Sequence, residues 1–178
     1  MTKLNKILSG ALGAMAVLGG AAALYVTKTR SGFGQFLDWL YNVEFPDIPT
    51  VRPSELAAEL NGQHPPVLID ARSPEEYAVS RLRNAQLVSA SAFTLDDVDD
   101  IDHDRSVVVY DSVGMRSGRI VRRMMEAGFT NVRVLYGGIF LWYNELRPVY
   151  RSEVAVNEIH PHEWLWGQFI TREGKTAE

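Results

Sequence analysis

The stretch that most constrains this chain runs from Val107 to Gly128. Val107, Val108, Val109 and Tyr110 form a short apolar, β-branched run, the composition of a strand buried on both faces. Ile120, Val121, Met124 and Met125 then recur at helical spacing, with Arg119, Arg122, Arg123 and Glu126 between them. Gly128 follows the last periodic residue and marks the helix stop. Between strand and helix lies a six-residue loop, Asp111, Ser112, Val113, Gly114, Met115 and Arg116. A tight loop entering a helix N-terminus turns several unpaired N–H groups inward, and the helix dipole adds positive potential. Such a loop is an anion cradle. What occupies the cradle is the central question for this chain.

The flanking sequence alternates strands with helices. Pro53 to Leu60 reads as a short helix that buries Leu56, Ala57 and Leu60, with Asn61-Gly62 as its stop. Pro66 to Asp70 is a buried strand. Ser73-Pro74-Glu75-Glu76 opens a helix with an N-cap, a proline at the first position and a capping box. Gln86 to Val88 is a short strand, and Thr94 caps a short helix. Asn131 to Leu135 is a further strand, and Ile139 to Leu146 a further helix. This order predicts an α/β fold, a mainly parallel sheet with helices on both faces.

Two groups of residues resemble those of a known family. Tyr110-Asp111-Ser112-Val113-Gly114-Met115-Arg116-Ser117, a helix, a Val-rich strand, and Gly137-Gly138 with Trp142 resemble the second half of a rhodanese-like (sulfurtransferase) domain. Asp70-Ala71-Arg72-Ser73-Pro74-Glu75-Glu76-Tyr77 resembles a signature of its first half. The resemblance covers Thr50 to Pro148. It implies that the first loop position, Asp111, stands where the family carries its sulfur-bearing cysteine. It also implies that Asp70, Arg72 and Glu76 are structural residues near the loop, with Arg72 and Glu76 as an ion pair. Ser80-Arg81-Leu82-Arg83-Asn84-Ala85 departs from the family's Gly-His-Ile-Pro-Gly-Ala and requires a different turn.

The chain contains no cysteine. A persulfide needs a thiolate, so the expectation here is a pseudo-sulfurtransferase, not an enzyme, with no catalytic residue. Two placements of Asp111 remain open. It can fill the cradle as an internal anion paired with Arg116, or face solvent as a helix-entry residue. Three functions follow: a binding or assembly module, an oxyanion sensor, and an Asp-dependent hydrolase or transferase.

A net charge of −4 over 178 residues argues against general nucleic-acid binding. No cofactor and no metal site are expected; His160-Pro161-His162 is the only close histidine pair, and the Asp96–Asp104 acidic run lacks the turn glycine of a calcium loop. Arg119, Arg122 and Arg123 form either a solvated face or a docking surface for an acidic partner.

Residues 1–30 hold an uncharged run, Ile7 to Val26. At about 1.5 Å per residue it spans about 30 Å, a bilayer core. The reading is a retained single-pass N-terminal transmembrane anchor, with a cleaved signal peptide as the alternative. Residues 31–49 form an amphipathic linker with Trp39 on its apolar side, docking on the domain, a partner or the membrane interface. Residues 50–148 form the domain. Residues 149–178 form a tail whose Trp164, Trp166, Phe169 and Ile170 must bury on the domain or on a partner. The expected partner is a membrane protein.

Overall fold

The computed structural model describes residues 30–162 and 164–174. Among the described residues no helix is long and apolar enough to cross a membrane. The anchor expected at Ile7–Val26 lies outside the described residues, so nothing in the structure supports it.

The centre is a five-stranded parallel sheet. In chain order its strands are β1 (Thr50–Val51), β2 (Val67–Asp70), β3 (Gln86–Leu87), β4 (Val107–Tyr110) and β5 (Val132–Leu135), arranged β1-β5-β4-β2-β3. The apolar run Val107–Tyr110 takes the middle position, and all four side chains are fully buried. It pairs with β2 from Val67↔Val107 to Asp70↔Tyr110 and with β5 from Val107↔Val132 to Val109↔Val134. Neighbours on both edges satisfy its backbone, so only side chains that need no water fit there.

The helices are α1 (Arg30–Glu44), α2 (Pro53–Leu60), α3 (Pro74–Val79), α4 (Met115–Glu126), α5 (Gly138–Asn144) and α6 (Trp164–Gly167), with a 3₁₀ turn at Leu95–Val98. The Ser73 hydroxyl accepts the Glu76 N–H, and the Glu76 carboxylate accepts the Ser73 N–H, closing the capping box. The helix after the loop begins at Met115, so Met115 and Arg116, the last two residues of the expected loop, already belong to it. Gly114, at φ +112°, makes the turn into it, and a Cβ there would collide with the Tyr41 ring.

Two segments outside the sheet close over one end of it. In α1, Phe33, Leu37, Leu40 and Tyr41 are buried against the core, whereas Trp39 stays 40% exposed and Val43 52%. The linker therefore docks on the domain through one face. After α5 the chain makes an antiparallel ribbon, β6 (Val149–Arg151) and β7 (Val154–Val156), which the sequence pattern did not announce. It then returns across the domain. Phe169 stacks on Phe33 at 4.7 Å and on Phe36 at 5.1 Å between ring centroids. Asn144 fixes the return by donating to the Phe169 carbonyl and accepting the Thr171 N–H.

Candidate functional site

The loop leaves β4 at its C-terminal end, where parallel sheets present their ligand crevices. Asp111 is 1% exposed. Its carboxylate turns inward and accepts the Gly114 N–H, the Arg116 N–H at 2.6 Å and the Ser117 hydroxyl at 3.4 Å. The Arg116 guanidinium lies 3.4 Å away through Nε. Two of the cradle N–H groups, those of Gly114 and Arg116, are thus engaged by a side chain of the loop itself.

Arg116 also makes a two-pronged pair with Glu76, at 2.7 and 2.9 Å. Ser112 Oγ donates to Glu76 Oε1 at 2.9 Å, so α3 and the loop are tied by one carboxylate. Burial works to raise the Glu76 carboxyl. The hydrogen bonds and charge of Arg116, with the Ser73 N–H and the Arg72 charge, outweigh it and hold the pKa at about 2. Burial likewise opposes the Arg116 charge, yet Glu76 and Asp111 raise its pKa.

Arg72 does not pair with Glu76. It grips Asp70 at the end of β2 through two N–H groups at 2.9 and 2.7 Å and donates to the Ser80 carbonyl at 2.6 Å. Asp70 and Arg72 are both fully buried. The residues sit two apart across the strand end, which lets Arg72 fold back on its neighbour before α3 can offer Glu76. Glu76 is left to Arg116 instead.

The Gly137-Gly138 pair has a packing reason. The N–H groups that follow, of Ile139 and Phe140, donate to the carbonyls of Asp111 and Ser112 at 2.8 and 3.1 Å. Gly138 sits at φ +57°, and a Cβ would meet those same carbonyls within 2.6 Å. Tyr41 of α1 donates to the Val113 carbonyl at 3.2 Å. Burial, then the Asp111 charge, raises its phenol well above the ordinary value, which keeps it a donor.

A cavity of about 160 Å³ opens at the loop, lined by Asp111, Ser112, Val113, Met115, Arg116, Arg119, His162 and Trp166. The last two come from the C-terminal segment. His162 Nδ1 stands 3.6 Å from Glu76 Oε2. Sequence reasoning named Trp166 only as an apolar docking residue, expected no metal site at His160 and His162, and gave His162 no other role. Among the described residues no group of three or more His, Asp or Glu side chains is placed to hold a metal ion. The remaining named residues scatter. Arg122 donates to the Glu44 carbonyl and Arg123 to the Phe93 carbonyl, so both are structural ties. Trp39 faces out from α1, away from the cavity lining, and Trp164 begins α6. Tyr41 was missed as a loop residue, because no local pattern links a linker helix to a loop 72 positions later.

This parallel sheet, its Asp-to-Arg loop and the glycine pair beneath it define a rhodanese-like domain. A family model of that domain matches residues 52–145, and the chain belongs to the rhodanese-like family. Among curated proteins it is 31% identical over 100 residues to the probable adenylyltransferase/sulfurtransferase MoeZ of Mycobacterium tuberculosis. The match covers 56% of this chain and spans about a quarter, 26%, of that relative. A rhodanese-related protein from Thermoplasma volcanium superposes with TM-score 0.52 at 22% identity, over 58% of this chain and 99% of that one. Thiosulfate sulfurtransferase from Pseudomonas aeruginosa superposes with TM-score 0.57 at 20% identity, over 67% of this chain and 23% of that one.

These matches correct one expectation. The missing cysteine led to the reading of a pseudo-sulfurtransferase that is not an enzyme. The relative that shares this domain carries a sulfurtransferase name, so the membership points to an enzyme family.

Proposed function

We propose that this chain is a membrane-tethered, rhodanese-like binding module that serves within a complex around a membrane-protein partner. One observation carries the reading: the Asp111 carboxylate takes the loop N–H groups of Gly114 and Arg116 that would otherwise hold an incoming oxyanion. With the cradle self-filled, the loop is a fixed, rigid feature of the domain. Exposed Trp39 and Val43 on α1, directly after the apolar run Ile7–Val26, supply the outward surface. Asp111 as the first loop residue, in the family's cysteine position, is part of this proposal.

The test is extraction of the full chain in mild detergent, followed by its native mass. A companion of fixed stoichiometry, retained in Asp111→Asn, is the expected result. A chain that migrates alone overturns the reading.

The sulfurtransferase relative favours a second reading, in which Asp111 acts as nucleophile or base in group transfer to or from an anionic substrate. Turnover of thiosulfate or another sulfur- or phosphorus-containing anion that Asp111→Asn abolishes would establish it.

A further inference from the structure

The mouth of the loop brings an arginine outside the Asp111–Glu76–Arg116 network together with two rings from the C-terminal segment. Asp111 and Glu76 are both committed to Arg116. Arg119, one turn further along α4, is exposed and lines the cavity, with no ion pair among the described residues. His162 and Trp166 line the same cavity, and they lie beyond the family-matched residues 52–145. They are held there by construction. His162 takes a left-handed backbone, φ +67°, and its N–H donates to His160 Nδ1 at 3.0 Å. Its ring reaches within 3.6 Å of the Glu76 carboxylate. Trp166 packs at 6.3 Å from Phe36 and 5.9 Å from Phe169, centroid to centroid, which anchors it to both α1 and the tail.

We propose that Arg119, His162 and Trp166 form a recognition site, outside the filled cradle, for an aromatic anion: an acidic oxygen group on Arg119 and His162, with a flat apolar body against Trp166. This rests on Asp111 filling the cradle. Asp111 takes the N–H groups of Gly114 and Arg116, so on this reading the incoming anion binds one layer further out. Arg119 supplies a forked donor for sulfonate or carboxylate oxygens. Trp166, Val113 and Met115 supply an apolar wall that a hydrated inorganic ion would not use. The C-terminal segment thereby changes the ligand class of the site from a small oxyanion to an amphipathic one.

The experiment is NMR titration of the full chain in detergent micelles with benzenesulfonate, and in parallel with inorganic sulfate. The expected result is a saturable shift of the Trp166 indole N–H by benzenesulfonate, with the Gly114 and Arg116 amides unmoved. Sulfate should bind about tenfold more weakly. Arg119→Ala, an exposed position that leaves the fold intact, should weaken benzenesulfonate about tenfold, whereas Arg122→Ala should not. Unchanged binding in Arg119→Ala, or no saturable shift at Trp166, overturns the site and leaves the filled cradle standing. Shifts centred on the Gly114 and Arg116 amides overturn both.

Discussion

The family core and the two segments that flank it hold the loop by different physics. Inside the core, the loop is fixed by charge: Asp111, Glu76 and Arg116 form one network, and Asp70 and Arg72 a second beside it. The flanks hold it by aromatic surface. Phe33 and Phe36 of α1 meet Phe169 of the tail, and Tyr41 and Trp166 reach down to the loop from either side. The core contacts are directional and fail when one partner is removed. The flank contacts are mostly broad ring packing, pinned by single hydrogen bonds such as those of Asn144 and Tyr41. The site thus sets a charged floor beneath an aromatic cover.

Arg72→Ala tests the floor most severely. It strands the fully buried Asp70 carboxylate, and breaking such a pair costs about 4 kcal/mol. Chemical denaturation of the variant should show that loss; a change below about 1 kcal/mol would mean Asp70 finds another partner.

Acid tests the same floor at Glu76. Its folded pKa is lowered from 4.5 to about 2, so its contribution is complete above 4.5 and disappears as pH falls towards 2. The loss attributable to Glu76 is about 3 kcal/mol across that window. Denaturation midpoints at stepped pH should fall more steeply in the native chain than in Glu76→Gln.

Phe169→Ala tests the cover. It removes a buried ring from the junction of α1 and the tail, at a cost of about 3 kcal/mol or less, since the tail can detach instead of leaving a cavity. Hydrogen exchange should quicken in β6, β7 and α6 while β4 remains protected. Uniform exchange across both regions would show that floor and cover unfold together.

Arg151→Ala is the smallest change. Arg151 and Glu158 meet at 2.6 Å, but their side chains are 47% and 45% exposed. A stability change within about 0.5 kcal/mol is expected from thermal denaturation, because water and salt screen such pairs.

Much of the core was legible because its signals are local. Val107–Tyr110 spells a buried strand, Ser73-Pro74-Glu75-Glu76 a helix start, and Gly128 a helix stop. The Arg72–Glu76 pairing was misread for the opposite reason: both residues are near one another in sequence, but the strand end offers Asp70 to Arg72 first. The β6–β7 ribbon escaped notice because Val149–Arg151 and Val154–Val156 are short and half exposed, with no alternation long enough to signal.

The sequence by itself determined the parallel α/β core, the loop at the end of β4 and the absence of a thiol in these 178 residues. Periodicity, caps and composition act over a few residues, and they are written directly in the chain. Only the tertiary structure decided that Asp111 turns inward, that Glu76 takes Arg116, and that Tyr41, His162 and Trp166 stand at the loop. Those choices join residues far apart in the chain: 40 positions separate Glu76 from Arg116, and 72 separate Tyr41 from Val113. They depend on which partner the packed sheet brings within reach, a competition among long-range contacts that no local pattern encodes.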